Sequence, residues 1–171
     1  VYTSEKKRND ISCFDHYLNV CEKYGADREQ LQYDMDYQIM TDFIISEYDR
    51  HLNNFGMLRD ADSLRFIRMA PIYDSGGALF VNRPKPGRYN DLLSFKINGL
   101  SDNEAGMLKF VRNPGCIDTS RLPSPEFIRE MYGKDSQMHE EDINAIVYAY
   151  EKKADICRDI QIGRDPWRKM Y

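Results

Sequence analysis

The chain has 171 residues, and its 28 Asp and Glu against 24 Lys and Arg give a formal charge of −4. That length suits one domain with a real core, and 42% hydrophobic with 30% charged residues argues for a folded globular chain and against disorder. The mild acidity offers no bulk attraction to nucleic acid or to an anionic membrane, so neither is expected as a direct partner. The longest strictly apolar run, Ala145 to Tyr150, is six residues and far too short to span a bilayer. No charged-then-apolar leader opens the sequence, and Cys13, Cys21, Cys116 and Cys157 form no C-x-x-C pair. A cytoplasmic chain with reduced thiols is therefore expected.

In chain order, Phe14, Tyr17, Leu18, Cys21 and Tyr24 fall at helical spacing, and Gly25 provides a stop. Cys13 and Cys21 read as core thiols. Asp27 can cap a second, long and substantially buried helix that carries Leu31, Met35, Ile39, Phe43 and Ile44 and ends near Tyr48. Two short β-compatible runs follow, Phe55 to Leu58 and Leu64 to Met69, joined by the polar turn 59–63, which predicts a small hairpin. After Asp74 come Ser75, Gly76 and Gly77, then the basic loop Arg83 to Arg88, which reads as a solvated loop. Ser101 and Glu104 suggest a capping box for a helix reaching Val111, and Ser124 with Pro125 opens another through Met131. The strongest helical pattern runs from Glu140 to about Ile160. Its stripe is Ile143, Val147, Tyr150, Ala154 and Cys157, with Lys152, Lys153 and Arg158 largely off it. His16 and His139 sit on helices without matched metal ligands, and Trp167 in the basic tail reads as a docking or packing residue. The fold class is mostly α with a small β-hairpin, as a single domain over 1–171.

The informative stretch runs from Tyr48 to Gly56, where a long helix delivers Asp49, Arg50, His51 and Asn54 into a loop before the hairpin. Phosphoryl transfer needs a carboxylate near the acceptor hydroxyl and oxygen ligands for Mg²⁺. Protein-kinase catalytic loops set an Asp five positions before a metal-binding Asn, the interval between Asp49 and Asn54. A second metal carboxylate follows beyond a short hairpin, and Asp74-Ser75-Gly76 parallels Asp-Phe-Gly with Ser in place of Phe.

Asp49-Arg50-His51 with Asn54, followed by Ala70-Pro71-Ile72-Tyr73-Asp74-Ser75-Gly76, resembles the C-terminal catalytic region of the HipA-like kinases. That family uses Asp-x-His-x-x-Asn-Phe, a hairpin, and then Pro-x-Tyr-Asp. The Asp-Arg-His order is also similar to that of phosphatidylinositol kinases, distant structural relatives. The diagnostic match covers residues 49 to 76. It implies the C-terminal lobe of a protein-kinase-like fold, with a catalytic loop at 48–56 and a metal-binding segment at 70–77. It further implies Asp49 as catalytic base, His51 as a support of the loop and of the transferring phosphate, and Asn54 and Asp74 as ligands of Mg²⁺ beside ATP. Arg50 is left structural or phosphate-facing.

A working kinase also needs a Gly-rich phosphate cover and a strand Lys paired with a helix Glu. Neither motif is found before residue 49, and the chain opens on Val1, so the expectation is a piece whose nucleotide-covering lobe lies upstream. The intact enzyme would phosphorylate a Ser or Thr hydroxyl on a protein substrate, while the isolated fragment would be largely inactive. The alternative is a non-catalytic kinase-derived module of a toxin-antitoxin or regulatory complex, bound by an antitoxin-like regulatory partner.

Overall fold

The computed structural model describes residues 4–80 and 92–165, and the order of elements is mostly helical with one hairpin. The basic loop 83–88 and Trp167 lie outside the described residues. Helix α1 spans Cys13–Lys23, α2 Arg28–Ile44, β1 Met57–Arg59, β2 Phe66–Met69, α3 Glu104–Leu108, α4 Pro125–Gly133 and α5 Glu140–Gln161. Short 3-10 turns at Pro114–Cys116 and Thr119–Arg121 join α3 to α4.

Helix α2 is the central strut. Leu31, Met35, Ile39, Met40, Phe43 and Ile44 are buried, and α1, α3, α5 and β2 all pack against it. So many neighbours bury polar positions as well. Asp36, 1% exposed, accepts from the amides of Arg112 (3.1 Å) and Asn113 (2.8 Å) and from Gln32 Nε2 (2.7 Å), so its carboxylate supports the 110–113 turn. On α5 the expected stripe of Ile143, Val147, Tyr150, Ala154 and Cys157 is buried, and α4 packs on that helix. No helix among the described residues is long and apolar enough to cross a membrane.

Helix ends follow local chemistry. Ser12 accepts from the Asp15 amide at 2.9 Å and Asp27 from the Gln30 amide at 2.8 Å, each satisfying a donor that the first turn leaves open. Helix α1 stops in a Schellman motif, with Gly25 at φ 107° and the Ala26 amide donating to the Cys21 carbonyl. Helix α2 stops the same way but earlier than its apolar pattern predicts. Ser46 takes the left-handed position at φ 56°, and the Glu47 amide donates to the Asp42 carbonyl at 2.8 Å. The chain therefore leaves the helix before Tyr48, which places residues 47 to 54 in a loop.

The hairpin is antiparallel, pairing Met57 with Met69 and Leu58 with Arg68, with an irregularity before Arg59. Asp60 closes its turn by accepting from the Asp62 and Ser63 amides. The Phe66 amide donates to the Tyr24 carbonyl, which fastens the hairpin to the end of α1.

Three expectations fail here. Helix α3 covers only 104–108, and its cap is Asn103, which accepts from the Gly106 amide at 2.7 Å, not Ser101. Glu104 is thus not a capping partner; it points inward, 3% exposed. It meets Lys153, which is fully buried on α5, not off the apolar stripe. The Lys153 ammonium lies 2.7 Å from Glu104 Oε2, donates to Oε1 and to Ser46 Oγ at 2.8 Å, and sits 5.0 Å from the Phe43 ring centre. Burial pushes Glu104 up to about 7 and Lys153 downward, while their attraction opposes both shifts. Finally, Cys13 is exposed at the start of α1, whereas Cys21 and Cys157 are buried thiols pushed up to about 11 and about 12 by burial. All four are unpaired.

Breaking one partner of a buried pair leaves an uncompensated charge. Glu104→Ala or Lys153→Ala should each cost ~3–5 kcal/mol of stability, whereas Glu104→Gln combined with Lys153→Met should cost much less. Urea unfolding of the parent and these three variants checks this.

Candidate active site

The loop that follows α2 is tied down by its own backbone. The His51 amide donates to the Asp49 carbonyl at 2.9 Å and the Asn54 amide to the His51 carbonyl at 2.8 Å. Asn54 is buried, and its Nδ2 donates to the Asp49 carbonyl at 2.8 Å. That bond orients the amide, and Oδ1 is its remaining acceptor, the atom that could ligate a cation. The interval of five between Asp49 and Asn54 thus has a structural meaning: the Asn side chain closes the loop that begins at the Asp.

Asp49 is held from several sides. Its amide donates to Glu47 Oε1 at 2.8 Å, and its Oδ1 accepts from Asn98 Nδ2 at 2.9 Å. Its Oδ2 lies 3.8 Å from His51 Nε2, and the Asp49 side chain remains 43% exposed. His51 Nδ1 accepts from the Asn53 amide at 3.3 Å, so the ring lies across the loop beside Asp49. Asp49 and His51 are therefore neighbours at a partly exposed position.

Asp74 comes from the segment after the hairpin, and Arg50 brings that segment to the loop. Arg50 is 5% exposed. Its Nε and Nη2 donate to the two Asp42 oxygens, each at 2.9 Å, in a bidentate pair. Nη1 donates to the Asn54 carbonyl at 2.8 Å and to the Tyr73 carbonyl, and lies 3.4 Å from the Asp74 carbonyl. Nη2 also donates to Ser75 Oγ at 3.0 Å. The backbones of Asn54 and Asp74 thus meet at one nitrogen. Asp74 itself is exposed, with φ 52°, while Tyr73 Oη donates to the Asn53 carbonyl at 3.0 Å. The segment then turns across the loop, with Gly77 against Glu47 and Asp49 and the Leu79 amide donating to the Ile45 carbonyl at 2.7 Å.

The donor set suits a hard cation with few protein ligands. Asn54 and Asp74 each offer an oxygen, and magnesium commonly takes one or two such ligands with phosphate and water completing the shell. Among the described residues no group of three or more His, Cys, Asp or Glu is gathered for a metal. His16 is buried, with Nε2 at 3.2 Å from the Glu5 carbonyl, in keeping with its reading as a helix residue.

Glu47 and Asn98 escape a reading of the sequence, and the role of Arg50 stays open in it. Asn98 approaches Asp49 from 49 residues away, and its amide also donates to the Tyr48 carbonyl at 2.6 Å. No local pattern marks such a contact. Arg50 carries one usable signal, an acid eight positions earlier on a helix that must end between them. No family model, curated protein or solved structure matches the chain.

An ammonium has no planar fork with which to span Asp42 and the two carbonyl-lined segments. Arg50→Lys should therefore lose about 3 kcal/mol of stability, a size set by leaving Asp42 poorly paired when buried. Thermal or urea unfolding checks it; a loss within ~0.5 kcal/mol, typical of surface changes, would contradict the clamp.

Proposed function

We propose that this chain is the catalytic lobe of a HipA-like kinase, which transfers the γ-phosphoryl group of ATP to a Ser or Thr hydroxyl on a protein. The observation that carries this reading is the single buried guanidinium that binds the Asn54 and Tyr73 carbonyls and reaches that of Asp74. It explains why the two motifs, separated by a hairpin, form one unit.

In this mechanism Asp49 is the catalytic base. Its carboxylate is fixed at Oδ1 by Asn98, so Oδ2 is the oxygen that receives the acceptor's proton as the hydroxyl oxygen bonds to phosphorus and ADP departs. His51, lying 3.8 Å from Oδ2, limits where that oxygen can turn. Asn54 Oδ1 and the Asp74 carboxylate would hold Mg²⁺, which neutralises charge on the phosphates and supplies no covalent chemistry. Positioning accounts for most of the rate in such reactions, and these residues set position. No recognisable Gly-rich phosphate cover or strand Lys precedes residue 49, so the isolated chain should bind nucleotide weakly and turn over little.

The chain's melting temperature should rise with Mg²⁺ and ATP together, more than with either alone, and Asp74→Ala should remove that rise. In the intact protein, Asp49→Ala should lower transfer by about 100- to 10,000-fold while leaving the unfolding transition near that of the parent. No joint response to Mg²⁺ and ATP would favour a non-catalytic interaction module, and unchanged transfer in Asp49→Ala would remove the base from its role.

A further inference from the structure

Glu47 is 2% exposed and lines one cavity with Arg50, whose positive charge it favours across that space with no hydrogen bond or ion pair between the two among the described residues. Oε1 accepts from the Asp49 amide at 2.8 Å, and Oε2 has no hydrogen-bond partner among the described residues. A buried oxygen without a hydrogen-bond partner is costly, so its retention calls for a gain elsewhere. The carboxylate lines a small cavity of about 20 Å³ with Asp42, Arg50, Ile97 and Glu104. Gly77 also lies close to it. A methyl group at residue 77 would stand 2.5 Å from Glu47 Oε1 and 3.4 Å from Asp49 Cβ. The backbone at 77 therefore passes directly over the carboxylate, and the lack of a side chain there is what admits it.

Glu47 thus touches both parts of the site at once. It holds the amide of Asp49, and it fills the space against which the Asp74–Gly77 segment closes. We infer that Glu47 is a positioning residue for phosphoryl transfer, setting the spacing between the Asp49 carboxylate and the Asp74 segment through its bond to the Asp49 amide and its contact with Gly77. The inference rests on the kinase reading above. Arg50 joins the two segments from beneath through their carbonyls, and Glu47 sets how far apart they stand at the Asp49 end.

The contact and the role can be tested separately. In urea unfolding of the chain, Gly77→Ala should lower the midpoint when residue 47 is Glu, and lower it much less in the Glu47→Ala background, because the colliding oxygen is gone. Additive effects would refute the contact. In the intact protein, Glu47→Ala should lower kcat by about 100-fold, the scale of an ångström-sized misplacement, with the KM for ATP changed little. Glu47→Gln keeps an oxygen acceptor for the Asp49 amide and should recover most of that loss. Full activity in Glu47→Ala, or a Gln variant as impaired as the Ala variant, would overturn the positioning role. A parent protein with no phosphoryl transfer would instead refute the kinase reading, and the role of Glu47 with it, whatever the unfolding cycle reports.

Discussion

A guanidinium sealed from water has to satisfy its donors or destabilise the fold, and Arg50 satisfies them with oxygens from three separate stretches of chain. Asp42 on α2 supplies the countercharge, the loop supplies the Asn54 carbonyl, and the segment after the hairpin supplies the Tyr73 carbonyl and the Ser75 hydroxyl. Losing one partner of such a pair costs ~3–5 kcal/mol, against a total stability of ~5–15 kcal/mol for an ordinary domain. The arrangement of the site is therefore bound to the stability of the fold. Burial pushes Asp42 up to about 6 even though the Arg50 hydrogen bonds and charge pull it down.

A second buried ion pair lies beside the first, since Glu104 lines the same small cavity as Asp42 and Arg50. Lys153 reaches from α5 to Glu104 on α3 and to Ser46, the left-handed residue that ends α2. A serine in that conformation is less favourable than a glycine, and the hydrogen bond from Lys153 gives its side chain a fixed partner. The consequence reaches the site, because the early stop at Ser46 releases the chain into the loop that carries Asp49 and Asn54. Secondary structure, burial and site geometry are linked here through a single turn.

Much of the architecture was legible because it rests on local rules. Gly25 and Asp27 mark a helix stop and start, Ser124-Pro125 opens α4, and the α5 stripe is buried where its period puts it. The order of Asp49, Asn54 and Asp74 around a hairpin was also legible, and the structure gathers the backbones of Asn54 and Asp74 at Arg50, with Asp49 tied to Asn54. What escaped was non-local. Ser46 stops a helix where the apolar period continues, because the motif uses a serine in place of glycine. Lys153 is buried because Glu104 comes to it from another helix, and a single-helix pattern counts a lysine as surface. Asn98 and Glu47 act on Asp49 by contacts that neither spacing nor composition encodes.

Arg50 joins the Asn54 and Asp74 backbones, and the proposed binding of one cation between these two regions can be tested directly. Manganese, which takes oxygen ligands as magnesium does, broadens the NMR signals of nearby amides and can be titrated into the isotopically labelled chain with ATP. Paired loss of the residue 54 and residue 74 amide signals at the same manganese concentration is expected, and Arg50→Lys should weaken both together. Broadening that reaches one segment without the other, or that spreads over unrelated acidic surface, would contradict the account.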